Sequence, residues 1–279
     1  MFSFFGREYA AYLEILLDSF TSTNTQYSKI GNIKPTPLVK KLIKLYVSIF
    51  GIPEIGFQIR CRYFVKTLDL LKNFEPKKIL DAGCGIGLYT FMLAKRYPQA
   101  QILGIDMDEY KLEFCRRFAT DHHITNVQFA KGDLTKIKLG NDNYDLIVNI
   151  DVLEHIRPYQ KVLKSFYSSL KLGGYFYIHT PQVNQRRIFK KFFSTWKHEE
   201  HVREGFNPEL LKNDLLQTGF KSVNYWSGFG FLGRLAWELN HISLSQNILL
   251  AGLMFPIVSL ISILDIRKRS LTAYYIAYK

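Results

Sequence analysis

The sequence predicts an α/β protein in which a seven-stranded, mostly parallel sheet carries helices on both of its faces. From Lys77 onward, short apolar runs alternate with amphipathic stretches at the spacing of successive strand–helix units. Three glycines at alternate positions follow the first apolar run, and an acidic residue ends the next run. Such alternation predicts a parallel sheet whose ligands bind beyond the carboxyl ends of its strands.

Glycine, proline and the lengths of the apolar runs give the bounds of the individual elements. The predicted strands are 78–82, 101–106, 126–130, 144–150, 174–180, 221–227 and 271–278. The predicted helices between them are 86–97, 109–121, 158–171 and 207–218. Gly173-Gly174 ends the third of these helices, and Asn207-Pro208 opens the fourth with an N-cap and a proline in its first turn.

The first part of the chain is predicted to form a helical cap over residues 1–56. Residues 9–20 and 37–50 are amphipathic helix candidates, and lysines lie among the leucines of the second. A third candidate, 57–74, leads into the first strand. Charged residues interrupt any apolar run near the start, so we expect no signal peptide there.

The segment from Ile79 to Gly87 constrains the function more than any other part of the chain. Gly83, Gly85 and Gly87 allow a sharp turn and the close approach of a ligand to the backbone. A dinucleotide-binding loop needs a further glycine where Leu88 stands, and the Gly-Lys-Ser/Thr of a P-loop occurs nowhere in the chain. The spacing therefore favours a nucleoside ligand that has no pyrophosphate.

Several motifs of the chain match one protein family. Leu80-Asp81-Ala82-Gly83-Cys84-Gly85-Ile86-Gly87 resembles the first motif of the class I S-adenosylmethionine-dependent methyltransferases. Asp151-Val152-Leu153-Glu154-His155, after the fourth strand, is similar to the signature of the small-molecule branch, which includes ubiquinone-pathway O-methyltransferases. Further similar segments are Gly132-Asp133, Asp145–Asn149, Leu172–Pro181, His201–Leu211 and Thr218–Phe220. The resemblance covers roughly residues 60–228 and the last strand.

This resemblance implies a Rossmann-like sheet with an antiparallel last strand, and S-adenosyl-L-methionine as the cofactor. It implies a methyltransferase domain at 57–279, with a lid at 182–206 and an apolar helical insertion at 229–266 before the last strand. The residues that it assigns to cofactor binding are Asp81, Gly83, Gly85, Gly87, Asp106, Met107, Asp133, Leu134 and Asn149.

Some of these acidic residues have an alternative role. Asp106 lies 21 residues after Gly85 and ends a predicted strand, where an acidic side chain takes the ribose hydroxyls. It could instead cap the helix 109–121, but Asp108 is better placed for that duty. Asp133 is expected near the adenine amino group, with a turn cap as its alternative. Asp81 is expected to hold the glycine loop, or the methionine amino group through water.

Methyl transfer to an oxygen benefits from a general base, and histidine is suited to that role near neutral pH. His155 and His201 are the predicted catalytic residues, because the first follows the fourth strand and the second lies in the predicted lid. His179, late in the fifth strand, is an alternative that faces either the site or the core. The run His198-Glu199-Glu200-His201 lacks zinc-enzyme spacing and could join Glu154 only if the lid folded back, so no metal is predicted.

The formal net charge is +13, which favours contact with nucleic acid or with an anionic membrane surface. Amino-methylating relatives that act on nucleic acid carry an Asn-Pro-Pro-Tyr-like segment where this chain has Asn149-Ile-Asp-Val, so nucleic acid is not preferred. Residues 239–264 contain no Lys, Arg, Asp or Glu, and the apolar run 248–264, interrupted by Pro256, is shorter than the about 20 residues of a spanning helix. We therefore expect peripheral membrane contact through 239–269, with two ordinary packed helices as the alternative.

These observations predict methyl transfer from S-adenosylmethionine to a small hydrophobic acceptor, preferably at an oxygen, near the cytoplasmic surface of a membrane. Lipids, quinone precursors, polyketides and glycolipids all fit the composition. Cys61, Cys84 and Cys115 are isolated thiols, which favours a reducing, cytoplasmic compartment. The alternatives are an RNA or protein methyltransferase and a non-catalytic cofactor-binding or membrane scaffold. Nothing in the sequence indicates an oligomeric state.

Overall fold

The computed structural model describes residues 36–50, 54–192, 201–246, 248–265 and 270–279. The predicted helix 9–20 lies outside these residues. The chain divides into two compact units. Of the described residues, 36–50, 54–64, 187–192, 229–246 and 248–265 form the helical unit, and 65–186, 201–228 and 270–279 form the sheet unit.

The helices and strands alternate along the chain as the sequence pattern predicts. The described helices are α1 (Pro37–Phe50), α2 (Ile55–Leu70), α3 (Leu88–Arg96), α4 (Glu109–Asp121), α5 (Tyr159–Ser169), α6 (Pro208–Thr218), α7 (Phe231–Gln246) and α8 (Ile248–Ile263). The strands are β1 (Lys78–Ala82), β2 (Gln101–Asp106), β3 (Val127–Lys131), β4 (Tyr144–Ile150), β5 (Leu170–Pro181), β6 (Ser222–Gly228) and β7 (Thr272–Tyr278). Short 3-10 turns span Leu153–His155 and Lys190–Phe192.

The seven strands form one sheet in the order β3-β2-β1-β4-β5-β7-β6. Strands β1 to β5 pair in parallel, whereas β7 runs antiparallel to both of its neighbours, β5 and β6. The predicted fold class, with its antiparallel last strand, is therefore confirmed. The carboxyl ends of β1, β2 and β4 lie side by side, and the candidate site is built there.

The ends of two predicted helices are wrong. The helix predicted over 57–74 is α2, which begins at Ile55 and ends at Leu70. The helix predicted over 158–171 ends at Ser169, and β5 begins at Leu170 instead of at residue 174. Leu170 pairs with Tyr144 of β4, and the register then shifts before Leu146 pairs with Tyr175. The strand therefore begins before the glycine pair and bulges there, because pairing and burial of Leu170 override the helical pattern of the sequence.

Buried apolar side chains from both sheet and helices form the core of the sheet unit. On one face of the sheet, Leu80, Ile147 and Phe176 pack with Phe166 of α5 and Leu211 of α6. These side chains are fully or almost fully buried. This packing fixes the strands from which the loops of the candidate site extend.

Polar caps fix where two helices of the sheet unit begin. The Asp108 carboxylate accepts the backbone N–H groups of Tyr110 and Lys111 at the start of α4, as the sequence predicts. Asn207 caps α6 in the same way, and Pro208 follows it. These caps satisfy donors that would otherwise lack partners inside the helices.

The helical unit contains α1, most of α2, the turn Lys190–Phe192 and the pair α7 and α8, which pack against each other. On α8, Ala251, Phe255 and Val258 are buried. Six apolar side chains of the same segment are exposed: Leu250, Leu253, Ile257, Leu260, Ile263 and Leu264. Within the described residues, no helix combines the length and the apolar character needed to cross a membrane.

Candidate functional site

The glycine loop connects β1 to α3 and turns back onto β2. The backbone N–H groups of Gly83 and Cys84 both donate to the carbonyl oxygen of Ile105, at 2.8 and 2.9 Å. Gly83, Gly85 and Gly87 all have positive φ angles, of 84°, 54° and 78°. Non-glycine residues adopt this left-handed region only at an energetic cost, so the alternate glycines are what allow the loop to form.

The three glycines differ in the space around them. A Cβ atom at Gly83 would lie 2.3 Å from Cγ2 of Val152, and one at Gly87 would lie 2.8 Å from the ring of Phe91. A Cβ atom at Gly85 would meet nothing within 4 Å. Gly83 and Gly87 therefore have packing roles, whereas Gly85 leaves open space above the loop that a ligand can fill.

Asp106, at the end of β2, holds the glycine loop. One carboxylate oxygen accepts the backbone N–H of Gly85 at 2.8 Å, and the other accepts that of Asp108 at 3.0 Å. Each carboxylate oxygen has a second lone pair, so the group can also accept hydrogen bonds from a ligand. The structure thus brings Asp106 to the loop, and its contact with ribose hydroxyls stays a prediction.

Two buried polar side chains lie under the same loop. Asp81 is buried and accepts a hydrogen bond of 2.6 Å from the hydroxyl of Thr90. Burial raises the pKa of the Asp81 carboxyl from 3.8 to about 7, and the nearby charge of Asp106 adds to this increase. The amide nitrogen of Asn149 donates to the Ala82 carbonyl oxygen at 2.7 Å, whereas its Oδ1 atom is buried without a hydrogen-bond partner.

These features fit an S-adenosylmethionine molecule, which carries a cationic amino group and ribose hydroxyls. A buried acceptor without a partner costs free energy until a donor reaches it, and Oδ1 of Asn149 is such an acceptor beside the loop. Asp81 offers a carboxylate to the same cationic group, and Asp106 offers one to hydroxyls. The residues present therefore fit the predicted cofactor.

Three further predicted contacts follow β2 and β3. The Asp133 carboxylate accepts the backbone N–H and hydroxyl of Thr135, and Lys136 lies 3.1 Å away. The hydrogen bonds from Thr135 lower the pKa of Asp133 to about 2, with help from Lys136. Leu134 is buried and Met107 is exposed. Asp133 thus fills its alternative role as a turn cap, and its adenine contact stays a prediction.

An aspartate–histidine pair joins the ends of β4 and β5. Oδ1 of Asp151 lies 2.7 Å from Nδ1 of His179, and the Asp151 backbone N–H donates to the His179 carbonyl oxygen at 3.0 Å. Asp151 has a φ angle of 54°, in the left-handed region. The imidazole of His179 is 1% exposed, whereas the Asp151 side chain is 34% exposed. The carboxylate is thus the solvent-facing member of the pair.

The two predicted catalytic histidines are in contact with each other. The rings of His155 and His201 lie edge to face, with centroids 4.5 Å apart. One ring nitrogen of His155, one of His201 and one carboxylate oxygen of the buried Glu154 all lie within 4.8 Å of one another. This spacing is close enough for a divalent ion, and the expectation that no metal is used stays a prediction.

The segment 201–206 brings His201 to this position. The Val202 N–H donates to the Glu154 carbonyl oxygen, and the Arg203 guanidinium donates to the carbonyl oxygens of Leu153 and Arg157. Arg203 also lies over the ring of Tyr159, 4.6 Å from its centroid. The last residues of the predicted lid, 201–206, therefore fold back over the loop that follows β4. Residues 193–200 of the lid lie outside the described part.

The sequence predicts roles for the loop residues and the histidines but none for Asp151. Its only signal was its place directly after a strand end, in the motif that ends with His155. His179 was an open alternative, and the structure shows that it is buried against Asp151. The role of Glu154 in the histidine cluster depends on the fold of the segment 201–206, which the sequence does not reveal.

A family profile described as a methyltransferase domain matches residues 74–221. A demethylmenaquinone methyltransferase from Listeria monocytogenes serotype 4a is 25% identical over 198 residues, which are 63% of this chain and 83% of that protein. A fatty-acid O-methyltransferase from Mycolicibacterium smegmatis is 31% identical over 105 residues, 37% of each chain.

A similar fold occurs in the solved structure of Haemonchus contortus phosphoethanolamine N-methyltransferase 2 in complex with S-adenosyl-L-methionine. The TM-score is 0.58 at 18% sequence identity, and the match covers 94% of this chain and 60% of that chain. At this identity the likeness concerns the fold.

Proposed function

The chain belongs to the methyltransferase-domain family and is an S-adenosylmethionine-dependent methyltransferase, and we propose that its acceptor is an oxygen of a small hydrophobic molecule. We place the reaction at the cytoplasmic surface of a membrane. The observation that carries the choice of oxygen is the contact between His155 and His201 beside Glu154, at the end of β4.

The glycine loop and its neighbours would hold the cofactor. Asp106 would accept the ribose hydroxyls, and Oδ1 of Asn149 would accept a hydrogen bond from the amino group. Asp81 would balance the positive charge of that group from below the loop. The cofactor supplies an electrophilic methyl carbon that is already activated by the adjacent sulfonium charge. The protein therefore contributes mainly alignment and exclusion of water.

A hydroxyl acceptor has to lose its proton as the new carbon–oxygen bond forms. His155 is exposed in the 3-10 turn that follows β4, and in our proposal its imidazole is the general base that takes this proton. His201 is half-buried and orients the His155 ring through their edge-to-face contact. Amine acceptors would need positioning more than a base, so the two histidines favour oxygen.

Two lines of support favour a hydrophobic acceptor. The relatives named above include a demethylmenaquinone methyltransferase and a fatty-acid O-methyltransferase, whose named acceptors are lipid-like. The chain itself exposes a row of apolar side chains on α8, where Leu253 is 76% exposed. Monomeric proteins rarely expose contiguous apolar surface of this kind without an interaction partner. Membrane contact through 239–269 would give the enzyme access to acceptors dissolved in lipid.

The test is transfer of labelled methyl from S-adenosylmethionine to fractions of a lipid extract, compared between the wild-type protein and His155→Asn. We expect label in an O-methylated lipid, and a loss of at least about 100-fold in rate for the variant, because general bases contribute on that order. Affinity for S-adenosylmethionine should change little.

His123→Asn is the matched control, because His123 is exposed and its left-handed backbone is compatible with asparagine. It should keep the wild-type rate. A fully active His155→Asn protein would remove the base assignment. Label found in RNA or protein instead of lipid would favour the rival macromolecular acceptors, and absence of transfer to every lipid fraction would contradict a lipid acceptor.

A further inference from the structure

We propose that the turn Lys190–Phe192 is a binding site for anionic lipid headgroups, in which both lysines contact the phosphates and Phe192 enters the interfacial layer. The proposal rests on the membrane contact proposed above and names a second, chemically different part of the same helical unit. Lys190, Lys191 and Phe192 are all exposed, and Phe192 is 58% exposed. We call these three residues the basic turn.

The residues just before the basic turn are anchored from inside the helical unit. The carboxylate of Glu238, which is fully buried on α7, accepts the backbone N–H groups of Ile188 and Phe189 at 2.8 to 3.0 Å. Hydrogen bonds to a charged group are stronger than neutral ones. Glu238 therefore fixes the backbone that leads into the turn.

Two more contacts complete this anchor. The Arg187 guanidinium lies over the ring of Trp237, 4.7 Å from its centroid, and the Phe192 N–H donates to the Phe189 carbonyl oxygen at 3.0 Å. The anchoring groups point to α7, while the lysines point to solvent. A turn held in this way loses little conformational freedom when it binds, which favours affinity.

The charge balance of the helical unit favours an anionic partner. Its described residues include three acidic side chains, Glu54, Glu238 and Asp265, and each accepts backbone N–H groups of the same unit. Within the described parts of the chain, Lys190 and Lys191 form no ion pair. Among the described residues of the helical unit, all three carboxylates are therefore occupied by backbone N–H groups, and both lysines are exposed and available to lipid phosphates.

The same unit exposes the apolar row of α8, so apolar and cationic surface occur together. Surfaces of this composition bind membranes by burying apolar side chains at the interface and attracting anionic headgroups. Nucleic acid would use the lysines but would gain nothing from the leucines of α8. The combination therefore favours a lipid surface over nucleic acid.

The test is co-sedimentation with phosphatidylcholine vesicles that contain or lack phosphatidylglycerol, at low and at moderate salt. Lys190→Gln/Lys191→Gln should bind the phosphatidylglycerol vesicles at least about tenfold more weakly at low salt, because each lysine near such a surface contributes about fivefold. Binding to phosphatidylcholine alone should not change. Phe192→Ser should weaken binding to both kinds of vesicle.

The matched control is Lys161→Gln/Lys164→Gln, which removes the same charge from exposed positions of α5 in the sheet unit. It should bind within about twofold of the wild type. If this control loses vesicle binding equally, net charge alone explains the effect and the basic turn is not a specific site. Unchanged vesicle binding of Lys190→Gln/Lys191→Gln would also contradict the proposal. Tighter binding to single-stranded RNA than to vesicles would overturn it in favour of nucleic acid.

Two further measurements separate this proposal from the proposed function. Leu253→Ser/Leu260→Ser should weaken binding to both vesicle types, because it removes apolar surface and no charge. If the wild-type protein binds neither vesicle type, membrane contact and the basic turn both fail, while methyl transfer to detergent-solubilised lipid remains a separate question. All variants should keep their affinity for S-adenosylmethionine, since no changed residue belongs to the glycine loop.

Discussion

Oδ1 of Asp151 lies 2.7 Å from Nδ1 of His179, so the ends of the neighbouring strands β4 and β5 are joined by a charged hydrogen bond. The Asp151 backbone N–H also donates to the His179 carbonyl oxygen. These two bonds hold Asp151 at a φ angle of 54°, a conformation that non-glycine residues rarely adopt. Such conformations persist where surrounding contacts fix them, and they cluster at functional sites.

Asp151→Ala should lower the free energy of unfolding by about 1–3 kcal/mol, because the buried imidazole loses its carboxylate partner. Asp151→Asn should cost less, since asparagine keeps an acceptor oxygen and tolerates the left-handed region. Urea denaturation at one pH measures both values. Equal losses in the two variants would contradict a role for the hydrogen bond in stability.

Asp106 and Asp108 are two residues apart, yet their alanine variants should have different effects, one on ligand affinity and the other on the stability given by helix capping. Asp106→Ala should lower the affinity for S-adenosylmethionine by at least about tenfold, because a charge-assisted hydrogen bond contributes on the order of 1.5–3 kcal/mol. Asp108→Ala removes the N-cap of α4 and should lower stability by about 1 kcal/mol with affinity unchanged. Calorimetric titration and urea denaturation of both proteins test this. Unchanged affinity in Asp106→Ala would remove the ribose assignment.

Gly85→Ala should mainly lower the affinity for S-adenosylmethionine, whereas Gly83→Ala should mainly lower stability. A Cβ atom at Gly85 meets open space, so the variant should fold at a cost of about 1–2 kcal/mol for its left-handed backbone, but bind S-adenosylmethionine poorly. A Cβ atom at Gly83 would collide with Val152, so stability should fall further. Adding Val152→Ala should restore part of the stability of Gly83→Ala and none of the affinity of Gly85→Ala. Wild-type affinity in Gly85→Ala would mean that the cofactor does not use this space.

The pKa of Asp81, raised to about 7 by burial, gives a pH dependence of stability with a defined sign. Between about pH 4 and pH 7 the folded protein binds a proton at Asp81 that the unfolded chain has released. The free energy of unfolding should therefore fall as pH rises through this window. Asp81→Asn cannot ionise and should lose this part of the fall, so its stability relative to wild type should increase from pH 5 to pH 8. Parallel curves for the two proteins would contradict the raised pKa.

The fold could be predicted because its signals are local. Buried parallel strands are continuous apolar runs, and β1, β2 and β4 have the bounds that the pattern predicts. The predicted helix end at 171 was wrong because Leu170 belongs to a strand, and its strand pairing is with Tyr144, which is distant in sequence. Pattern alone carries no information about such pairing.

The candidate site also contains residues whose contacts could be predicted from local sequence and residues whose contacts could not. The glycines and Asp106 are close in sequence and have fixed backbone requirements, so their meeting at one loop could be predicted. The contact of His155 with His201 depends on how Arg203 fastens the segment 201–206, and the sequence shows only that these residues exist. Likewise, the pairing of Asp151 with His179 required the left-handed turn after β4, which aspartate does not signal by itself.

Strands β6 and β7 are antiparallel neighbours, yet 43 residues, 229–271, connect them. They pair as the two strands of a hairpin do, but α7 and α8 lie in the connection where a hairpin has a short turn. Closing a connection of this length instead of a four-residue turn costs only about 2 kcal/mol of chain entropy, because that penalty grows with the logarithm of length. Evolution could therefore lengthen, shorten or exchange these helices at little expense to the sheet, and relatives with the same glycine loop can differ here in what they touch.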